Sequence, residues 1–160
     1  MVYLCEDAVS TGRRVALKTF KEARGKSLAE KESNWYRVLD AALDPSSRSF
    51  FPIRYDHSMD GTTPWIALEL CGVSLLDSLR SHGPLIGSVL LGAALQLQTA
   101  LQLLHGIDII HLDVKPGNVL WDGVTKTVRL CDLGMAEKHN GDAPLTFNTY
   151  TTELYRPRLA

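Results

Sequence analysis

From residue 83 to residue 104 the chain runs for 22 residues without a charged side chain. Any fold it adopts must give that run somewhere to go. Its length alone would suit a bilayer span. On a helix, however, Val89, Leu90, Ala93, Ala94, Leu97, Ala100, Leu101 and Leu104 fall on one stripe. Gln98, Thr99 and Gln102 gather opposite, with Gln96 at the stripe's edge. That sorting predicts a water-soluble helix packed into a core, not a membrane span. The remaining composition agrees, with 45% hydrophobic and 22% charged residues in 160. A chain of this length suits one ordinary domain, or one with a small annex. A formal charge of −1 gives no electrostatic reason to expect nucleic acid or an anionic membrane as partner. Cys5, Cys71 and Cys131 are odd in number and lack C-x-x-C spacing, which predicts free thiols in a reducing intracellular compartment, cytoplasm or nucleus. Acids and arginines arrive within residues 6–14, so no secretory signal is expected.

The first twenty residues predict a β-hairpin, VYLCED and RRVALKTF around the turn-forming Ser-Thr-Gly. Alternation puts Ala16, Lys18 and Phe20 on one face of the second strand, so Lys18 has apolar neighbours. A helix is expected over residues 27–42, with Ser27 and Glu30 in capping-box spacing. Leu28, Glu32, Trp35 and Leu39 then share one stripe. An unpaired carboxylate on an inward stripe is costly, so Glu32 needs a cation, and Lys18 is the preceding charge with an apolar setting. DPSSRS (44–49) reads as a loop. IRYDHS and PWIALELC read as two strands, and strand periodicity gives way to helical near Cys71-Gly72. A short helix carrying Leu75, Leu76 and Leu79 precedes the long uncharged one.

Two later strands, VLW (119–121) and TVRLC (127–131), flank Asp122-Gly123, a hairpin signal. In an antiparallel hairpin the start of the first strand lies beside the end of the second. Asn118 immediately precedes the hairpin and Asp132 immediately follows it, so an amide oxygen and a carboxylate are brought together. Hard oxygen donors of this kind suit Mg²⁺, which takes few protein ligands and completes its shell with water and phosphate. Asp113, at the mouth of the same hairpin, could accept a proton from an attacking hydroxyl. Lys115 could neutralise a transferring phosphoryl group.

Taken together, HLDVKPGN (111–118) and CDLG (131–134) resemble the catalytic loop and D-F-G motif of eukaryotic-type protein kinases. VALK (15–18) resembles that family's V-A-I-K strand, and Glu32 the helix glutamate that pairs with its lysine. LELCG (68–72) resembles the hinge. The resemblance implies an α+β, two-lobe fold, with residues 1–70 in a β-rich lobe and 71–160 in part of a helical lobe. It implies an ATP site at Ala16, Lys18, Glu32, Leu68, Glu69 and Cys71, with Lys18 on the α- and β-phosphates, Leu68 as gatekeeper, and the backbone of Glu69 and Cys71 facing adenine. Asp113 would be the base, Lys115 would hold the γ-phosphate, and Asn118 and Asp132 would hold Mg²⁺. Lysine at position 115 is the serine/threonine-kinase form. Thr152 and Tyr155-Arg156-Pro157 resemble the end of an activation segment in the style of the cyclin-dependent kinases and their relatives.

The departures set further expectations. No G-x-G-x-x-G precedes Val2, and the family's Pro-Glu and following helices are not found after Pro157. The sequence therefore reads as a kinase domain truncated at both ends, with a partner or self-association expected over the apolar helix 83–104. Leu112 replaces the arginine of H-R-D and offers a phosphate neither charge nor donor. The expected activity is transfer of the ATP γ-phosphoryl group to a serine or threonine hydroxyl of a protein. One alternative is a non-catalytic, pseudokinase-like binding or scaffold module. The other is a small-molecule phosphotransferase of the aminoglycoside-kinase type, which shares H-x-D-x-x-x-x-N.

Overall fold

The computed structural model describes residues 1–7, 12–21 and 25–139. The Thr152 and Tyr155-Arg156-Pro157 stretch lies outside the described residues. Strands β1 (Val2–Glu6) and β2 (Arg14–Thr19) pair antiparallel, Val2 opposite Lys18 and Glu6 opposite Arg14, as the hairpin reading expects. Helix α1 (Gly25–Ala42) begins two residues before the expected start. Ser27 therefore lies inside the first turn and forms no capping box. At the first described helical residue the backbone packs closely, since a Cβ on Gly25 would stand 2.8 Å from the carbonyl oxygen of Phe20. DPSSRS is not a loop throughout. Pro45–Arg48 forms a helical turn, α2, whose N-cap Asp44 accepts from the backbone of Ser46 at 2.9 Å and Ser47 at 3.2 Å. Strands β3 (Arg54–Ser58) and β4 (Trp65–Glu69) complete a four-stranded antiparallel sheet in the order β1-β2-β4-β3.

After Gly72 the character changes to helices and short hairpins, so the whole is α+β as expected. Val73–Ser74 (β5) leads into α3 (Leu75–His82), capped by Ser74, and then α4 (Gly87–His105). Ile109–Ile110 (β6), Val119–Asp122 (β7), Thr127–Leu130 (β8) and Glu137–Lys138 (β9) follow. β5-β7-β8 form one small sheet and β6-β9 another. The β5–β7 pairing had no local signal in the sequence, since two residues are too few for a period. The β7–β8 connection also differs from a two-residue Asp-Gly turn. Asp122 is the last paired residue, and its carboxylate accepts from the backbone of Val124 and Thr125.

One apolar core runs through the described residues. Tyr36 and Leu39 of α1 and Ile66 of β4 belong to the same cluster as Leu104 of α4, Ile109, Leu130 and Leu133, all fully buried. Burying side chains of this size is worth roughly 1.5–3 kcal/mol each. The expected stripe of α4 is only partly buried. Ala93, Ala100 and Leu104 are covered, whereas Val89, Leu90 and Ala94 are exposed, together with Leu91 and Leu95. The seam against β8 is narrower than the apolar stripe, and it is Gln96 that faces β8. Its amide oxygen accepts from Val128 N–H at 3.0 Å and its nitrogen donates to the Lys126 carbonyl at 3.0 Å. By length and a mean hydropathy of 1.3, α4 would suit a bilayer, and one side of it packs on the small sheets.

Candidate active site

The sheet and α1 bring the first pair of candidate residues together. Lys18 lies in mid-sheet, opposite Val2 on one side and Ile66 on the other. Its ammonium group reaches across to α1, 2.6 Å from Glu32 Oε2, and to Asp132 Oδ1 at 2.8 Å. Asp132 arrives from the β7–β8 hairpin, 114 residues away in sequence. Glu32 is fully buried, and its other oxygen has no hydrogen-bond partner among the described residues. Burial therefore pushes the Glu32 carboxyl up to about 7 against the pull of Lys18, and the neighbouring Asp132 charge adds to the rise. Burial opposes the Lys18 charge as well, but two carboxylates outweigh it and the ammonium pKa is raised. Asp132 is held below its ordinary value despite burial, through Lys18 and a hydrogen bond from the Gly134 backbone. One ammonium and two carboxylates leave an excess negative charge, which suits a divalent cation.

The hairpin geometry works as its sequence implies. Cys131 N–H donates to the Asn118 carbonyl at 3.0 Å, which sets the residue before β7 beside the residue after β8. The side-chain nitrogen of Asn118 donates to the Asp113 carbonyl at 2.8 Å and to its carboxylate at 2.9 Å. That commits the nitrogen and leaves the amide oxygen as the hard donor. Lys115 Nζ lies 2.7 Å from the Asp113 carboxylate, so Asp113, Lys115 and Asn118 form one linked group. Asp132 and Leu112 both take a left-handed backbone, φ 64° and 63°. Aspartate tolerates this better than leucine, for which it is uncommon.

A cavity of about 470 Å³ joins these parts. Ala16, Lys18, Glu32, Leu68, Glu69, Cys71, Asn118 and Asp132 all line it. Asp113 and Lys115 are not among its lining residues and connect to it through Asn118. At the Glu69–Gly72 rim, Glu69 N–H donates to the Ile53 carbonyl at 2.7 Å. The Glu69 carboxylate takes the Arg129 guanidinium and the Ile53 N–H. Burial pushes the Cys71 thiol up to about 12 even beside Arg129, and burial raises the Cys131 thiol too. Oxygen donors from Asn118 and Asp132, on one cavity wall with a surplus carboxylate charge, fit Mg²⁺.

Three supporting residues were not singled out from the sequence. His111 is 1% exposed, and its ring joins the two motifs. Nδ1 accepts from Asp113 N–H at 3.2 Å, so Nε2 carries the proton and donates to the Cys131 carbonyl at 3.0 Å. Burial lowers its pKa, which keeps the ring neutral. Arg129 lies on the strand face opposite buried Val128 and Leu130, a period-two signal, but nothing local names Glu69 as its partner. Trp35 Nε1–H donates to the Ala136 carbonyl at 3.1 Å, from a position read only as part of an apolar stripe.

Comparison with known proteins converges on one family. The protein kinase domain matches residues 1–159. Among curated proteins, the chain is 30% identical over 129 residues to a probable serine/threonine-protein kinase zyg-1 from Caenorhabditis briggsae, covering 78% of this chain and 17% of that protein. It is 39% identical over 114 residues to the serine/threonine-protein kinase RUNKEL of Arabidopsis thaliana, 71% of this chain and 8% of that one. With the serine/threonine-protein kinase AfsK of Streptomyces coelicolor it shares 31% over 140 residues, 85% of this chain and 16% of the other. The chain thus spans less than a fifth of the length of these relatives.

Proposed function

The chain belongs to the protein kinase family, and on that premise we propose that it transfers the ATP γ-phosphoryl group to a serine or threonine hydroxyl of a protein. The observation that carries this reading is the Lys18 ammonium held between Glu32 and Asp132 at the wall of a cavity that Asn118 also lines. Lys18 binds the α- and β-phosphates, and Glu32 keeps it extended toward them. The Glu69 carbonyl and the Cys71 backbone form the adenine edge, with Leu68 behind it. Asn118 and Asp132 would hold Mg²⁺, which supplies charge neutralisation of the phosphates. Asp113 takes the proton from the attacking hydroxyl as the new oxygen–phosphorus bond forms and the β–γ bridging bond breaks to release ADP. Lys115 offsets charge on the transferred group. Residues 1–70 would act as the nucleotide-covering lobe and 71–160 as part of the substrate-facing one. The three free thiols support a reducing intracellular location, cytoplasm or nucleus.

The test pairs binding with chemistry. A thermal-shift titration with ATP and Mg²⁺ should stabilise the protein, and radiolabelled ATP should mark a generic basic protein substrate. Asp113→Ala should lower transfer by about 10²–10⁴-fold while leaving the thermal shift in place. Neither shift nor transfer would sink the proposal. The bare face of α4 favours a second reading, a non-catalytic binding module. A nucleotide shift without transfer would select it.

A further inference from the structure

Helix α1 must keep Glu32 against Lys18, and polar contacts tie it to other elements along its length. At its C-terminal end, Asp40 takes the buried Arg48 guanidinium at 2.7 Å, and Arg48 also donates to the carbonyls of Phe51 and Pro52, each at 2.9 Å. That anchor lies two turns beyond Glu32. Nearer Glu32, buried Ser33 accepts from the Arg54 guanidinium of β3 at 3.2 Å, and Ala29, Tyr36 and Leu39 are fully buried, so these contacts hold the helix to the sheet and core. The hydrogen bond to the segment after Asp132 comes from Trp35, three residues after Glu32 and therefore on a neighbouring line of the same face. Its indole N–H donates to the carbonyl of fully buried Ala136. The acceptor is itself fixed. Ala136 N–H donates to Leu133 O at 3.0 Å, β9 pairs with β6 immediately afterwards, and His139 N–H donates to Asp108 O at 2.7 Å. Lys31, one turn before Trp35, lies 3.9 Å from Glu137, an exposed pair that adds little. Position 112 is leucine, so the catalytic loop provides no charged group there to hold the segment after Asp132.

We propose that Trp35 is a positioning residue, locking α1 to the Ala136 carbonyl so that the Lys18–Glu32 contact is held in place by a neutral hydrogen bond. A partly buried indole N–H to a backbone carbonyl carries no charge to screen, so the lock is insensitive to salt and pH across the neutral range. Its geometry is independent of the kinase reading. Its consequence for catalysis rests on that reading.

The decisive variant is Trp35→Phe, which keeps an aromatic ring and removes the donor, compared with Trp35→Leu. Amide hydrogen exchange is measured on the nucleotide-free full chain, where no activity is needed. Protection in the first half of α1 and at 133–136 should fall about tenfold in Trp35→Phe, as loss of one net hydrogen bond implies, while β3 and β4 keep their protection. A merely structural role would lower protection throughout. Phenylalanine behaving as tryptophan, with only leucine perturbing α1, would show that ring packing rather than the N–H matters, and would overturn the proposal. So would a uniform loss of protection. Where the wild-type chain transfers phosphate, Trp35→Phe should raise KM for ATP by about tenfold and change kcat much less. A wild type without transfer would count against the proposed function and leave the exchange experiment to judge Trp35.

Discussion

Lys18 is one cation serving two carboxylates, and most of the site's behaviour follows from that shortage. Removing it in Lys18→Met leaves Glu32 buried without a partner. The expected loss is about 3–5 kcal/mol in chemical denaturation at pH 8, and less at pH 5.5, where Glu32 can take a proton instead. Glu32 itself gives a pH signature. Its folded-state pKa of about 7 lies above the ordinary 4.5, so the folded protein binds more protons between those values. That stabilisation is fully present below pH 4.5 and is lost as pH rises through 7. The stability of wild type minus that of Glu32→Gln, measured on nucleotide-free protein, should therefore fall by about 3 kcal/mol from pH 4.5 to pH 8. A flat difference would contradict the assignment. His111 works in the opposite direction, because burial lowers its folded pKa: as pH falls below the ordinary 6.5 the unfolded chain takes up a proton that the buried ring resists, and stability is lost. It is common to both proteins and cancels in the difference. The Lys18–Glu32 pairing was legible in the sequence because each charge sat in an apolar period of its own element. Asp132's share of Lys18 was not, because the two lie 114 residues apart and only the folded sheet sets them face to face.

At the scale of elements, close approach and satisfied polar groups decide what local patterns leave open. Gly72 has φ +96°, and a Cβ there would lie 2.4 Å from the Trp121 carbonyl oxygen. Gly72→Ala should cost at least about 2 kcal/mol and shift the β5–β7 pairing, which a thermal melt and exchange at Trp121 would report. Gln96 makes the other junction. Gln96→Leu keeps helix propensity but strands the Val128 N–H, and should cost about 1–3 kcal/mol by denaturant titration. The sequence placed Gln96 at the edge of the stripe, and its inward turn depends on where β8 lies. In α1, Ser27–Glu30 has capping spacing, yet the helix is already formed at Gly25, where the backbone packs closely on Phe20.

For the molecule as a whole, the exposed face of α4 dominates. Leu90, Leu91 and Leu95 are more than half exposed on one uncharged helix. Contiguous apolar surface of this kind promotes association. The double variant Leu91→Glu/Leu95→Glu should reduce concentration-dependent self-association in sedimentation while leaving Tm nearly unchanged, since neither side chain is in the core. An unchanged sedimentation profile would show that this face does not drive association. The sequence by itself determined the pairing of β1 with β2 and the juxtaposition of Asn118 with the residues entering Asp132, while the α+β class came from its motifs' resemblance to protein kinases. Both local pairings rest on periodicity or on a short hairpin, where chain connectivity leaves few alternatives. Only the tertiary structure decided which side of α4 is covered, that Arg129 meets Glu69, that His111 bridges the two motifs, and that Trp35 reaches Ala136. Those contacts join elements far apart in the chain, and their partners are selected by distance and direction after the core has closed.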